Sequence, residues 1–559
     1  MTERRFWSRL SRALRRVLLT VACIAATSPS DAAIAGTAPA SGPEPELPRL
    51  YVDTTPVPPS GRTIPVPAGE DLQAALEAAK PGDVIMLEAG AMFTGPFTLP
   101  NKAGSGWITI RSSAFGKNLP PGTRVDPSYA KMMPKLVAAH GSVITTAPGA
   151  HHYRFIGIEI RPSEGTFLHN LVLLGTNERT IEDLPHHIVF DRCYLHGDPK
   201  KGTRRGIAMN SRDTAVIDSY LSDFKEVGVE AQAILGWNGP GPFKIVNNYL
   251  EGAGENLMFG GGADPTIPNL VPSDIEIRRN HFSKPLAWKV GDPAYEGTPW
   301  AIKNLFELKN ARRVLIDGNL FEYNWLHTQN GFAILFTVRN QDGSAPWSVI
   351  EDVVFTNNIV RHTASGINIL GLDDNWPSQQ TKRIQIANNL FEDVGGARWG
   401  GGGILFQILR GAADVVIDHN TGFQTGNIIL ADGAPNTGFV YRHNITLHND
   451  HGIIGTGTGV GNPTLLQYFP ESIVKNNVIA GGHAAQYPPD NFFPSSLDDV
   501  GFMVRPSGNY KLASSSQTKR TGPDGKDLGV DFDALCAAIP VALQPQMSCT
   551  SNARPGKGK

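Results

Sequence analysis

The sequence predicts an all-β chain wound as a solenoid, one short strand-and-corner unit after another. The first observation is a recurring phrase. FKIVNNYL (243–250), IEIRRNHF (275–282), VLIDGNLF (314–321), VVFTNNIV (353–360), IQIANNLF (384–391), VVIDHNTG (415–422) and FVYRHNIT (439–446) each alternate apolar residues, then carry polar residues and an asparagine. The second is spacing: the copies recur every 24 to 39 residues with period-two alternation, whereas a helical repeat would show a 3.6-residue period. The third is size, since roughly 490 residues follow the N-terminal segments and a single compact core seldom holds so many.

Taken in order, residues 1–35 carry six arginines, an apolar run from Val17 to Ala26 and a small-residue motif ending at Ala35, the layout of a secretory signal peptide. The apolar run is too short for a stable membrane span, and no later segment is long and apolar enough for one. Loss of this segment removes six arginines and two acids, Glu3 and Asp31, and takes the net charge from -2 to -6. A mildly acidic exported chain has no electrostatic reason to bind nucleic acid. Residues 36–62, dense in Pro, Gly and Ser, read as an extended linker.

The solenoid is expected over 63–508. EDLQAALEAAKPGD (70–83) sets Leu72, Ala75, Leu76 and Ala79 on one helical face, a lid for the first coil. The corner asparagines are Asn248, Asn280, Asn319, Asn358, Asn389, Asn420 and Asn444, with Asn477 in a looser copy and Cys193 and Ser219 in the same slot upstream. Asparagine suits a corner because it tolerates the left-handed backbone and its amide hydrogen-bonds locally. Stacked coil on coil, such amides form a ladder with a step of about 4.8 Å. Residues 509–559 leave the rhythm and are read as a C-terminal capping segment and tail. Of the three cysteines left after export, Cys536 and Cys549 can pair, leaving Cys193 odd and buried.

LQAALEAAKPGDVIMLEAGAMF, the asparagine-corner phrases and the closing KDLGVDFDAL resemble bacterial right-handed parallel β-helix proteins of the pectin-lyase-like superfamily, over essentially the whole mature chain. WAIKNLFELKNARRVLIDGNLFEYNW resembles one subgroup of these proteins and by itself points to no particular activity. The resemblance implies a single-stranded right-handed parallel β-helix with an N-terminal capping helix, working as a monomer on a polysaccharide. It implies a reaction less firmly, because fold does not fix function.

Chemistry is expected on the strands that precede each corner, where neighbouring coils can build one site. In IKNLFELKN (302–310), alternation puts Asn304, Phe306 and Leu308 on one face and Lys303, Leu305, Glu307 and Lys309 on the other. Counting ten residues back from corner asparagines reaches Asn238, Lys309 and Arg410, and Arg339 holds a similar place in its own strand. Glu230, Glu255 and Glu307 add carboxylates on nearby coils.

A row of acids and bases suits β-elimination of a uronate glycan, where the substrate carboxylate must be neutralised before a base removes the neighbouring proton. By analogy with the lyases of this fold, Lys309 is the expected base, Arg339 or Arg410 the charge neutraliser or acid, with Lys303 beside them. Glu230, Glu255 and Glu307 are the expected calcium ligands. Trp237, Trp300, Trp325 and Trp376, with Asn238, are the expected sugar contacts, since aromatic faces suit pyranose rings.

The competing readings are a solvated, salt-bridged face with no chemistry, a glycoside hydrolase or C5-epimerase on the same scaffold, and a glycan-binding surface protein. Asp373-Asp374 is the acid pair that a hydrolase would use, although no accompanying hydrolase motif is found. His151-His152 and His186-His187 are not at metal-ligand spacing and read as surface or turn residues.

Overall fold

The computed structural model describes residues 43–549, apart from 117–118, 506–507, 523, 541–542 and 545–548. The expected signal segment 1–35 lies outside the described residues. The chain builds three long parallel sheets, of 14, 13 and 12 strands, and each sheet takes one strand from each successive turn of the chain. One coil shows the pattern: Ile350–Thr356 in the first sheet, Ile359–Thr363 in the second, Ser365–Leu370 in the third, then Lys382–Ala387 back in the first. Wound in the right-handed sense that parallel crossover connections take, this is a right-handed parallel β-helix.

Period-two alternation fills its interior. Ile245, Ile277, Ile316, Phe355, Ile386 and Ile417, at corresponding places in six successive first-sheet strands, are all buried in one core. Phe282 stacks on Phe321 at 4.3 Å between ring centroids, one coil to the next. Each such side chain contributes about 1.5–3 kcal/mol on burial, and like stacks on like because consecutive coils present the same register.

The corner asparagines form one continuous ladder. The side-chain oxygen of Asn319 accepts from the backbone N–H of Asn280 at 2.9 Å and from its amide at 3.1 Å. Asn319 in turn donates to the side-chain oxygen of Asn358 from both its backbone and side-chain nitrogens, at 2.9 Å. The pattern runs through Asn389, Asn420, Asn444 and Asn477 to Asn491, and the Ser219 and Cys193 slots continue it the other way. The expected reason for asparagine needs correction. The left-handed residue is the one before the ladder position, as at Asn247 (φ 58°), Asn357 (φ 52°) and Asn388 (φ 55°). The ladder residue is selected for its amide.

The helix Leu72–Ala78 buries Leu72 and Leu76 in the core beside the strands that open the first and third sheets. Past the last third-sheet strand, the helix Asn462–Tyr468 brings Leu465 and Tyr468 to the same core, an element the sequence reading lacks.

Both terminal segments are straps along the sides of the stack. Residues 43–62, expected as a linker, are extended but docked on the first sheet. The backbone N–H of Glu46 donates to Asp352 at 3.0 Å, that of Arg49 to Asp274 at 2.8 Å, and Arg154 donates to the carbonyl of Thr54 at 2.8 Å. The C-terminal segment runs back along the second sheet rather than sitting only on the last coil. Leu512 and Leu528 pack on Ile445 and Val478, and the helix Phe532–Ala538 places Phe532 and Leu535 against Leu320, Ile359 and Leu390 of earlier coils. Cys536 and Cys549 form a disulfide at the end of this strap, and Cys193 is free and buried.

A buried lysine ties the corner between the second and third sheets. Lys284 Nζ donates to the carbonyls of Gly252, Ala253 and Gly254 and to the side-chain oxygen of Asn256, at 2.5 to 3.0 Å. Lys284→Met is expected to leave these acceptors unpaired and to lower stability by about 3 kcal/mol or more. The urea midpoint at constant m-value measures it, and a shift below about 1 kcal/mol contradicts this role.

Candidate active site

The outer face of the third sheet carries the acid and base row. In the strand Phe306–Leu308, Phe306 and Leu308 enter the core while Glu307 and the following Lys309 line a cleft on the other side, as alternation predicts, but Leu305, expected on that outer face, also lies in the core because it precedes the regular strand. Register supplies neighbours that sequence distance hides. Arg205 aligns with Gln232 and Gln232 with Glu255 on successive coils. Arg205 Nε donates to Gln232 at 3.2 Å, and Gln232 Nε2 donates to Glu255 at 2.7 Å.

Lys303 closes the row. Its Nζ lies 2.5 Å from Glu230 and 2.7 Å from Glu255, residues from two other coils. Burial opposes charge on Glu255, yet the ammonium groups of Lys303 and Lys309 outweigh it and hold this carboxyl below its ordinary range. Burial works against Lys303 as well, and Glu255, Glu307 and Glu230 reverse it, keeping the ammonium charged far into alkali. Lys303 therefore has no lone pair to offer as a base; it is a fixed cation.

Glu307 has the opposite balance: burial raises its pKa, Lys309 lowers it and Glu255 raises it again, with a net upward shift. One Glu307 oxygen accepts from Thr337 at 3.2 Å and stands 3.8 Å from Lys309 Nζ, and the other is buried without a hydrogen-bond partner.

Beside this row opens a cleft of about 380 Å³, lined by Glu307, Lys309, Thr337, Arg339 and Asn368 with the apolar faces of Phe332 and Leu335. Arg339 Nη1 binds Asp373 at 2.7 Å and also Asp374. The acid pair noted in the sequence is thus ion-paired to Arg339, which lines the same cleft as Lys309. Arg410, two third-sheet strands farther on, is exposed and adds its charge to the field at Asp374 without lining the cleft.

Several expected contacts belong elsewhere. Asn238 is fully buried, accepting from the backbone N–H of Thr266 at 2.9 Å and donating to the carbonyl of Glu178 at 3.0 Å, so it holds loops together. Trp300 and Trp325 are buried with Trp288 and Ile302 in a side cluster, where Lys225 sits 5.2 Å from the Trp300 ring. Trp237 is half-buried under Arg205, at 5.6 Å. Trp376 is 51% exposed, two residues beyond Asp374, and packs its ring against Gly343.

Calcium does not fit the expected carboxylates. Glu230 and Glu255 are bridged by the Lys303 ammonium, and Glu307 is nearest Lys309, so positive side chains already hold the places that an oxygen cage would give a cation. Gln232, Thr337 and Asn368 are members of the site that the sequence reading missed. They are ordinary polar residues marked only by register.

No family model matches the sequence, and no curated protein matches it. Solved structures do align. An alginate lyase from Paenibacillus sp. is 15% identical, with a TM-score of 0.37, over 63% of this chain and 99% of that one. A PL6-family alginate lyase is 13% identical, with a TM-score of 0.45, over 84% of this chain and 58% of its own length. The catalytic unit of a GH87 α-1,3-glucanase from Streptomyces thermodiastaticus is 12% identical, with a TM-score of 0.48, over 80% and 72%. The three stacked sheets carry the assignment. The fold is a parallel β-helix. Within this β-helix the terminal straps run over the first and second sheets, and the acid and base row faces outward from the third.

Proposed function

We propose that the chain is an exported carbohydrate-active enzyme that cleaves an acidic, uronate-containing glycan by β-elimination in the third-sheet cleft. The observation that carries this reading is Lys309 and Arg339 in one open polar cleft, over adjacent coils, beside a buried acid network. Thr337 and Asn368 offer hydrogen bonds to sugar hydroxyls, and Phe332 and Leu335 offer apolar surface to a ring face. Lys309, after giving up its ammonium proton to solvent, removes the proton beside the substrate carboxylate, and Arg339 is the cation placed to face that carboxylate. The electron pair forms the new ring double bond, and the glycosidic oxygen leaves and takes up a proton. Lys303 and Glu255 position the row and touch no substrate. The Cys536–Cys549 disulfide suits an exported protein, and among the described residues no helix is long and apolar enough to cross a membrane.

Hydrolysis is the second reading, favoured by one observation: Glu307 is buried, its pKa is raised, and one of its oxygens has no partner. Those are the properties of a general acid. Incubation with pectate, alginate, glycosaminoglycans and neutral glycans separates the two. Elimination yields an unsaturated sugar with new near-ultraviolet absorbance, and Lys309→Ala is expected to lower kcat/KM by about 100-fold or more with the fold intact. New reducing ends without that absorbance indicate hydrolysis through Glu307. Retention on a glycan without any product would leave a binding protein.

A further inference from the structure

Away from the cleft, four histidines converge on the outer side of the first sheet. His151-His152 open the strand His151–Ile156, and His186-His187 open its neighbour His186–Asp191, with His186 aligned on His151. Successive side chains of a strand normally point to opposite faces. Here His152 (φ 59°) and His187 (φ 54°) have left-handed backbones, and each pair turns its rings together, Nδ1 to Nδ1 at 2.7 Å. The rings also stack between coils, His151 on His186 at 4.7 Å and His152 on His187 at 4.5 Å. The reading of these residues as surface or turn positions is therefore corrected: they are half-buried strand residues in mutual contact.

The arrangement goes beyond a stack of like on like. One ring nitrogen from each of His152, His186 and His187 lies within 4.8 Å of the other two. On the next coil Asp213 sets a carboxylate oxygen 3.7 Å from His187 Nδ1. Arg212 is the facing cation, 3.4 Å from the same carboxylate oxygen, and Trp107 borders the cluster 5.3 Å from His152. A neutral imidazole offers one ring-nitrogen lone pair, and the two strands bring three such rings together.

We infer that His152, His186 and His187, with Asp213 as fourth ligand, bind one borderline divalent transition ion such as Zn²⁺ or Cu²⁺. Imidazole nitrogens select these ions over calcium or magnesium. Donors of a tetrahedral zinc site, at bond lengths near 2.1 Å, stand about 3.4 Å apart. To reach that value the 2.7 Å His186–His187 pair must open and donors standing up to 4.8 Å apart must draw in. In the His186–His187 pair one Nδ1 carries the proton; on metal binding it moves to Nε2 of the same ring, so both Nδ1 atoms can face the ion with no net release, while His151 keeps its own proton and gives up its hydrogen bond to His152. The ion would link three consecutive coils, through His152, through His186 and His187, and through Asp213.

The test uses untagged protein stripped with chelator. Zn²⁺ titrated by calorimetry is expected to bind at one ion per chain and to raise the melting temperature by mass action. Cu²⁺ is expected to quench tryptophan fluorescence, with the quenched component missing in Trp107→Phe. The double variant H152N/H187N should weaken binding at least tenfold while keeping the circular dichroism and melting temperature of the stripped parent. A single-site variant, Asp213→Asn, should weaken it less and guards against misfolding of the double variant. Absence of stoichiometric binding overturns the inference. So does binding unchanged in H152N/H187N, which would move the ion to a cluster such as Asp418, His419 and His443.

Discussion

Lys303→Met is expected to destabilise the protein by about 3–5 kcal/mol, because it leaves a buried carboxylate without its partner. Glu255 is fully buried, and its charge is held by Lys303 at 2.7 Å and by the Gln232 amide at 2.7 Å. Methionine fills a similar volume and supplies no charge. The loss should therefore be electrostatic, and Lys303→Met/Glu255→Gln should recover most of it, since the glutamine still accepts from Gln232.

The pH dependence distinguishes this from a packing effect. In the parent the folded-state pKa of Glu255 is depressed, so its contribution is present above the ordinary glutamate range and is lost as pH falls through the depressed value. Without Lys303, burial dominates and raises that pKa, so the variant is penalised at neutral pH and relieved on acidification. The gap between variant and parent should narrow as pH falls from about 7 toward about 4. Urea unfolding at several pH values measures it, and a gap constant with pH would show that Lys303 acts through its methylenes alone.

What was legible in the sequence follows from what repeats. Alternation and the asparagine spacing gave the strands, corners and ladder from Asn248 to Asn477, because every coil imposes the same constraint and the pattern is rewritten each time. The ladder's last member, Asn491, escaped because it follows Asn477 by only 14 residues on a non-repeating turn. Alternation also put Glu307 and Lys309 on the outer face. It could not show that Lys303 sits between Glu230 and Glu255, 73 residues away in one case, because partners across coils are set by loop lengths that vary without a visible rule.

The same ignorance of register misassigned Trp300 and Trp325. Expected as sugar contacts, these two tryptophans pack in a side cluster with Trp288 and Ile302. For the expected calcium ligands, three acids in sequence suggest a cation, and the structure sets the Lys303 ammonium between two of them, Glu230 and Glu255. The histidine pairs were passed over because their spacing along the chain is not that of a zinc motif. Two copies at one register on adjacent coils replace that spacing in a solenoid.

Asn319→Ala is expected to cost about 3–5 kcal/mol, more than loss of an ordinary surface amide by a wide margin. The deletion removes the acceptor of two donors, the backbone and side-chain nitrogens of Asn280, and the donor to the carbonyl of Ile277 at 3.0 Å. All these groups are inside the corner, where water cannot replace a partner, and each buried unsatisfied group costs about 1–3 kcal/mol. Asn319→Asp should not rescue it. The carboxylate keeps the acceptor toward Asn280 but sets negative charge against the oxygens of Asn358 and Ile277, which both lose the side-chain donor, Asn358 keeping only the backbone N–H of residue 319.

Position along the ladder should grade the effect. Asn319 has asparagine on both sides, whereas Ser219 is followed by a buried cysteine slot and offers a hydroxyl in place of an amide. Ser219→Ala is accordingly expected to cost about 1 kcal/mol. Thermal or urea unfolding of the three variants at one pH gives the ordering, Asn319→Asp and Asn319→Ala well below Ser219→Ala. Equal and small losses at both positions would mean that the coils are held by their sheets and apolar interior alone, with the amides as passengers.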